Sequence, residues 1–312
     1  MSEIQTKRIT GILAPVVTPF KADLSADAER LVKQCHWLLS QNVGLAVFGT
    51  NSEANSLAVD EKIDLLDRLV AGGVNPARMM PGTGCCAFTD SVRLTAHAVK
   101  LGCAGVLMLP PFYYKGVSDD GLFRNFAEII ERVGDGNLRI YLYNIPPVSQ
   151  VAITLSLIER LLEAYPGIVA GVKDSSGDWE NTKEYLDRFA GRGFDVFPGS
   201  ESFLLRGLRS GGAGCISATA NVNPAAIAQL CATWQAADAG ADAQQQRLNE
   251  IRSLFAKYPM IPALKATIAH YSGDPAWTTV RPPLVELTAE QNTSLIDELN
   301  GAGFSYIPSS IR

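Results

Sequence analysis

The chain has 312 residues, of which 47% are apolar and 19% charged, and this is long enough for one large α/β domain or two smaller ones. Its 27 Lys and Arg residues against 32 Asp and Glu residues give a net charge of −5. No basic stripe is present to neutralise phosphates, so we expect no nucleic-acid partner. No apolar run approaches the roughly 20 residues that cross a bilayer, and the first residues lack the apolar core of a signal peptide. We therefore expect a cytoplasmic protein without membrane association.

Short apolar runs alternate with segments of helical spacing along most of the chain. The runs predict strands at 11–17, 45–49, 79–82, 104–109, 139–143, 168–173, 196–199 and 214–217. Apolar residues three and four apart predict helices at 28–40, 61–71, 91–101, 121–133, 155–164, 179–190 and 202–209. Alternation without hairpin turns implies parallel strands, and eight such units predict a (β/α)8 TIM barrel, with an open doubly wound sheet as the alternative.

The pattern changes after Pro224, because helices follow one another there without an intervening strand. They are predicted at 225–239, 244–257, 261–270 and 289–300. The first can close the barrel, and the others form a C-terminal helical extension. We therefore predict a catalytic barrel over residues 1–235 and a helical segment over residues 236–312.

In a barrel of this kind, reactive groups come from the carboxyl ends of the strands. Lys173 ends the sixth predicted strand, where burial favours the neutral amine that forms imines, although pairing with Asp174 is an equal alternative. Tyr143 ends the fifth strand and could move protons, or it could be an ordinary packed aromatic. Thr50 lies in a small polar turn whose N–H and hydroxyl groups could hold a carboxylate, although helix-capping turns look the same. Together these side chains make a set that packing alone does not require.

Eight motifs in order carry a resemblance to a known family. They are APVVTPF (14–20), GTNSE (49–53), PGTG (81–84), PFYY (111–114), YNIP (143–146), GVKDSSGD (171–178), GCISATAN (214–221) and RPPL (281–284). With these motifs the chain resembles the pyruvate-dependent class I aldolases that include dihydrodipicolinate synthase and N-acetylneuraminate lyase. The resemblance implies a barrel with three C-terminal helices, assembled as a homotetramer or dimer of dimers. It also implies a 2-oxo acid partner such as pyruvate, and a covalent lysine imine in place of any metal or organic cofactor.

The resemblance also implies roles for individual residues. Lys173 matches the lysine that forms the Schiff base, and Tyr143 matches the general acid and base. Thr50 matches the hydroxyl of the proton relay, and Tyr114 matches its far end, which a neighbouring subunit often supplies. The implied substrate-binding residues are Asn51, with its backbone N–H beside that of Thr50, and Val148 in the loop after the fifth predicted strand. The loop Gly199-Ser200-Glu201 and Ile216 are expected to line the remaining pocket.

Three positions depart from the family pattern. Ser52 replaces a glycine in the strand-two turn, with Asn51 beside Thr50 in the middle. Val148 stands where dihydrodipicolinate synthases carry an arginine that holds the carboxylate of aspartate semialdehyde, and an apolar side chain cannot make that contact. Of the acidic pair that contacts the sugar tail in neuraminate lyase, only Glu201 is present. We therefore predict a lyase acting on a 2-keto-3-deoxy sugar acid or a related hydroxylated 2-oxo acid.

Other functions remain open from the sequence. The chain could be a 4-hydroxy-tetrahydrodipicolinate synthase despite Val148, or a dehydratase that uses the same imine. A barrel that binds a 2-oxo acid without turnover, as a sensor, is the alternative outside the enzymes. A metal-dependent aldolase is disfavoured because His36, His97 and His270 lie within predicted helices, away from the strand ends.

Overall fold

The structure is a computed structural model that describes residues 8–236 and 238–306. Its strands are β1 Gly11–Ala14, β2 Gly44–Leu45, β3 Val106–Met108, β4 Ile140–Asn144, β5 Val169–Asp174, β6 Asp195–Pro198 and β7 Gly214–Ile216. Its helices are α1 Ala28–Ser40, α2 Val59–Ala71, α3 Phe88–Lys100, α4 Asp119–Val133, α5 Pro146–Ser149, α6 Leu155–Ala164, α7 Trp179–Phe189, α8 Leu204–Arg209, α9 Pro224–Thr233, α10 Asp238–Phe255, α11 Met260–Ser272 and α12 Ala289–Gly301.

The strands are parallel and close on themselves. One run has the order β2-β1-β7 and the other the order β3-β4-β5-β6. Two connections join the runs into a ring. The backbone N–H of Ala213 donates to the carbonyl of Val196 at 3.0 Å between β6 and β7, and residues 79–82 bridge Leu45 on one side and Leu107 on the other. The predicted (β/α)8 barrel is therefore confirmed, with helices on its outer face.

The strand predicted at 79–82 makes isolated bridges rather than a regular ladder. Met80 N–H donates to the carbonyl of Leu45 at 2.7 Å, and Leu107 N–H donates to that of Pro81 at 2.9 Å. Pro81 itself has no N–H to donate, so the ladder is interrupted at that residue. Proline also explains why β1 ends at Ala14, three residues before the predicted end, because Pro15 follows it.

Side chains from around the ring fill the barrel interior. This cluster consists of Ile9, Leu13, Ala46, Met80, Leu107, Tyr141, Tyr143, Ala170, Phe197 and Ile216. The two tyrosines of β4 share a face, as their alternation predicts. Gly171 lies beside Tyr141 in the register, and a Cβ there would stand 2.3 Å from the carbonyl oxygen of Asp195 and 2.8 Å from the Tyr141 ring. Gly171 therefore leaves the space that this ring occupies.

The C-terminal helices pack against the barrel and against one another. The helix predicted at 225–239 was wrong in its extent, because α9 ends at Thr233 and α10 begins at Asp238. The alanine-rich sequence carries no Gly or Pro stop signal, and the break follows from packing, since α10 turns back across α9 and α8. The predicted division at residue 235 falls in this connection, and it stays a prediction. None of the helices in the described ranges is both long and apolar enough to cross a membrane.

Candidate active site

The turn after β2 presents Thr50 and Asn51 at the mouth of the barrel. The backbone N–H of Gly49 donates to the Ser52 hydroxyl at 3.2 Å, and Thr18 donates its hydroxyl hydrogen to the carbonyl of Ser52 at 2.7 Å. Ser52, which replaces a glycine of the family pattern, is therefore held in the turn by hydrogen bonds. Thr50 and Asn51 are the first two residues of this 3-10 turn, so their N–H groups have no partner within it and are free to face an anion.

Tyr143 and Lys173 are the penultimate residues of the neighbouring strands β4 and β5 and are direct partners in their register. The Lys173 ammonium nitrogen lies 4.1 Å from the centre of the Tyr143 ring. The Tyr143 hydroxyl lies 3.1 Å from the Thr50 hydroxyl, and it also interacts with Ser175. Lys173 and Tyr143 are both buried. The three residues singled out in the sequence therefore converge on one point at the carboxyl ends of β2, β4 and β5.

The two tyrosines of β4 differ in their electrostatic surroundings. At Tyr143, burial raises the pKa, but the charge of Lys173 and hydrogen bonds with Thr50, Lys173 and Ser175 outweigh it, so the pKa lies below its ordinary value. At Tyr141, burial raises the pKa, and the neighbouring Asp195 carboxylate raises it further. The tyrosine at the mouth is thus the one suited to give and take a proton, whereas Tyr141 stays a protonated core residue.

Asp174 is engaged by its surroundings rather than by Lys173. Its carboxylate accepts hydrogen bonds from the Asn144 amide at 2.9 Å and the Thr182 hydroxyl at 2.5 Å. Ser176 donates to it through its hydroxyl at 2.9 Å and its backbone N–H at 3.1 Å. No ion pair between Lys173 and Asp174 is found in the part of the chain described. The alternative in which these two side chains simply pair at the strand end is therefore not what the structure shows.

A cavity of about 520 Å³ opens over these residues, within the size range of small-molecule sites. Of the sequence-predicted residues, those that line it are Thr50, Asn51, Tyr143, Val148, Lys173 and Gly199. Glu201 and Ile216 lie behind the lining and are buried. The Glu201 carboxylate accepts hydrogen bonds from the hydroxyls of Ser217 and Thr219. Tyr114 is 72% exposed and is not a hydrogen-bond partner of Thr50 within the described residues of one chain.

A buried ion pair anchors the C-terminal helices to the strand-two turn. The Lys265 ammonium on α11 donates to the Glu53 carboxylate and, at 2.8 Å, to the carbonyl of Thr279. Glu53 directly follows the turn and has a left-handed backbone conformation with φ of 55°. Its other oxygen accepts the N–H of Arg281 at 2.9 Å. The position of Thr50 and Asn51 therefore depends on residues more than 200 positions further along the chain.

Sequence reasoning missed several side chains of the cavity. Ser175 and Phe203 follow strand ends that were already singled out. Arg252 and Met260 come from α10 and α11, and no signal in their own sequence neighbourhood points to a barrel mouth. In residues 8–236 and 238–306, no three His, Cys, Asp or Glu side chains are grouped so that they could hold a metal ion.

A lysine and a tyrosine lie at the mouth of a (β/α)8 barrel, with a threonine hydroxyl on the tyrosine, and this is the arrangement expected of an imine-forming aldolase. Comparison with known proteins agrees with this class. The model of the Dihydrodipicolinate synthetase family matches residues 8–302, and the chain belongs to this family. Membership of the family confirms the predicted activity class, a class I, pyruvate-dependent lyase. Enzymes of this family work through a covalent lysine imine with pyruvate and use no external cofactor.

Individual relatives cover nearly the whole chain. An uncharacterized DapA-like lyase of Chloroflexus aurantiacus is 34% identical, over 91% of this chain and 94% of its own length. The crystal structure of dihydrodipicolinate synthase from Agrobacterium tumefaciens is 33% identical with a TM-score of 0.86, covering 94% of this chain and 99% of that one. The prophage protein YagE of E. coli K12, solved in complex with pyruvate, is 26% identical with a TM-score of 0.87, covering 95% and 99%.

Proposed function

We propose that Lys173 is the amine that forms the imine and that the enzyme makes or cleaves a 2-keto-3-deoxy sugar acid or a related hydroxylated 2-oxo acid. The observation that carries this proposal is the convergence of the Lys173 amine, the Tyr143 ring at 4.1 Å and the Thr50 hydroxyl at 3.1 Å from that of Tyr143. The cavity of about 520 Å³ over them holds more than a three-carbon acid, so a second reactant fits beside the imine.

The chemistry follows from these positions. The neutral amine of Lys173 attacks the ketone carbon of the 2-oxo acid to give a carbinolamine, which takes up a proton and loses water to leave an iminium ion. The iminium withdraws electrons from the adjacent carbon, which loses a proton and becomes an enamine carbon. In synthesis this carbon forms a bond to the carbonyl carbon of an aldehyde, and in cleavage the same bond breaks. Water then releases the product and restores the amine.

Tyr143 is placed to move the protons of these steps. Its lowered pKa brings the hydroxyl nearer to the range in which it can both donate and accept. Thr50 holds the Tyr143 hydroxyl through their hydrogen bond. The N–H groups of Thr50 and Asn51 face the carboxylate that every 2-oxo acid carries next to its ketone.

The loop after β4 supports a substrate other than aspartate semialdehyde. Val148 lines the cavity and is 62% exposed, and its side chain offers no hydrogen bond to a carboxylate. A hydroxylated chain is better matched to Ser175, Ser200 and Ser202, whose side chains surround the same space and can each donate and accept.

We further propose that the protein acts in the cytoplasm as a homotetramer or dimer of dimers. Tyr113 and Tyr114 are 74% and 72% exposed, and the Lys115 ammonium ties their loop to the carbonyl of Ser149 at 2.8 Å. A fixed loop carrying two exposed tyrosines is suited to enter a neighbouring subunit. The proposed relay role of Tyr114 then requires that second copy.

Trapping the imine tests the proposal. Purified protein is mixed with pyruvate and borohydride, and the modified peptide is mapped by mass spectrometry. We expect a reduced pyruvyl adduct on Lys173 in the natural chain and none at this peptide in Lys173→Met. Lys100→Met, which removes an exposed lysine on α3, is the matched control and retains the adduct. No adduct with pyruvate or any longer 2-oxo acid would overturn the catalytic assignment in favour of a sensor barrel.

A further inference from the structure

Arg252 on α10 is a cation of the cavity that the imine chemistry does not use. Its side chain is 23% exposed and lines the same cavity as Lys173. Its nitrogen Nη1 is buried and has no hydrogen-bond partner among the described residues. A buried guanidinium nitrogen without an acceptor is unfavourable, because its hydration is lost without replacement. Nη1 has almost no accessible surface and lies toward Glu201, so a ligand in the cavity would meet the remainder of the side chain, which lines the cavity.

Glu201 is close to Arg252 but does not satisfy it. The nearest carboxylate oxygen of Glu201 lies 3.7 Å from Nη1, beyond hydrogen-bond distance. Both oxygens of Glu201 already accept hydrogen bonds from the hydroxyls of Ser217 and Thr219. Glu201 thus helps to hold the guanidinium in place, while the donors of the planar fork stay available to a ligand.

The position of Arg252 is set by the packing of α10 against the barrel. Gln245 lies seven residues earlier on the helix and so on the same face. Its amide donates to the carbonyl of Glu201 at 2.9 Å, and its oxygen accepts the N–H of Leu205 at 2.9 Å. These two bonds clamp α10 onto the turn after β6. Leu248 and Phe255 are buried beneath the same helix.

The order of the strands around the barrel separates Arg252 from the turn after β2, which is proposed to bind the carboxylate next to the ketone. Arg252 stands beside the turn after β6, whereas Thr50 and Asn51 follow β2. Going around the ring from β2 through β1 and β7, β6 is the third strand. The two anion-binding features therefore lie on different sides of the mouth, with Lys173 on β5 contributing the reacting amine.

Among the described residues that line the cavity, Arg252 is the cation that stays available once Lys173 has formed the imine. Asp174 also lines the cavity, but its carboxylate is directed into its hydrogen bonds with Asn144, Ser176 and Thr182. Lys173 is consumed by the ketone. A second anionic group on the substrate would meet the guanidinium fork in a partly dry site, where a charge-assisted pair is strong.

We propose that Arg252 selects substrates with a carboxylate at the end remote from the ketone, so that the enzyme acts on dicarboxylic 2-oxo acids. This inference rests on the proposed imine at Lys173. Arg252 would supply from the C-terminal helices the cationic contact that Val148 cannot make. It is a specificity residue for the second carboxylate and takes no part in the bond-forming steps.

The test compares ligands that differ in this one charge. 2-Oxoglutarate, 2-oxoadipate and their ω-monomethyl esters are each trapped on the enzyme with borohydride, and the concentration for half-maximal adduct is measured by intact mass. For at least one chain length we expect the free acid to require about 10- to 100-fold less ligand than its ester, as for a hydrogen-bonded charge pair. In Arg252→Gln this ratio falls to about one. Arg252→Lys keeps the charge but not the fork and gives an intermediate ratio.

Arg247→Gln is the matched control, since Arg247 lies on the same helix and pairs with Glu250 at 3.1 Å on the surface, and it keeps the ratio of the natural chain. If Arg252→Gln fails to fold because Glu201 is left buried, the double variant Glu201→Gln/Arg252→Gln removes both charges and is measured instead. A ratio near one in the natural chain at both lengths, or a ratio that persists without Arg252, would overturn the proposal. Pyruvate is trapped in parallel. No adduct with pyruvate or with either longer acid refutes the imine, whereas adducts without an acid-to-ester preference refute only the role of Arg252.

Discussion

Removal of the Lys265 ammonium is expected to destabilise the protein strongly. Lys265 and Glu53 are both fully buried. In Lys265→Met the donor left to the Glu53 carboxylate among residues 8–236 and 238–306 is the Arg281 N–H. Breaking a buried ion pair by deleting one partner costs about 3–5 kcal/mol. At about 2 °C per kcal/mol, the lower end for large domains, Tm falls by roughly 6–10 °C.

The measurement is thermal and urea unfolding at one fixed protein concentration, because the proposed assembly of subunits would make Tm depend on concentration. Glu53→Gln/Lys265→Met removes both charges and is expected to lose less than the sum of the two single variants. Lys257→Met is the matched control, because Lys257, in the turn after α10, pairs with Glu298 on α12 at 2.9 Å but on the surface, and such pairs contribute at most about 1 kcal/mol. The reasoning is refuted if Lys265→Met shifts Tm no more than Lys257→Met, or if the two single effects simply add.

Three further outcomes follow from the site and its strands. Tyr143→Phe keeps the ring against Lys173 but lacks the hydroxyl, so we expect the borohydride adduct to persist while turnover of an identified substrate falls about 10²-fold or more; unchanged turnover would exclude Tyr143 as the acid and base. Lys173→Met removes the charge that lowers the pKa of Tyr143 and leaves the burial that raises it, so we expect the pKa of Tyr143 to rise. Tyrosinate absorbance measures this pKa, with the double variant Lys173→Met/Tyr143→Phe as the reference. An unchanged or lower pKa contradicts the assigned cause. Gly171→Ala places a Cβ 2.3 Å from the Asp195 carbonyl oxygen and is expected to lower the free energy of unfolding in urea by at least about 1–3 kcal/mol. Gly191→Ala is the control, because a Cβ there meets nothing within 4 Å. Equal effects of the two substitutions would show that the crowding at Gly171 is relieved at no cost.

The local pattern of the sequence determined most of the barrel. Helices α1 and α6 have the predicted bounds, because their apolar spacing is regular and Thr154 caps the second through the N–H of Leu157 at 3.0 Å. Parallel strands bring their carboxyl ends to one edge, so Thr50, Tyr143 and Lys173 could be placed together without a structure. The motifs around them were specific enough to indicate the family.

The tertiary structure decided the positions of the residues at which distant segments of the chain meet. The apolar spacing predicted α10 as a helix. Its packing against α8 and α9, which places Arg252 at the cavity, depends on contacts such as the hydrogen bond of Gln245 to the turn after β6. The burial of Glu201 behind the cavity lining likewise depends on hydroxyls from the turn after β7. Periodicity and caps report interactions over three or four residues, and they predict which side chains share a face. Which face of one helix meets which loop is set by packing between segments that can lie more than 200 residues apart, and no local pattern carries that information.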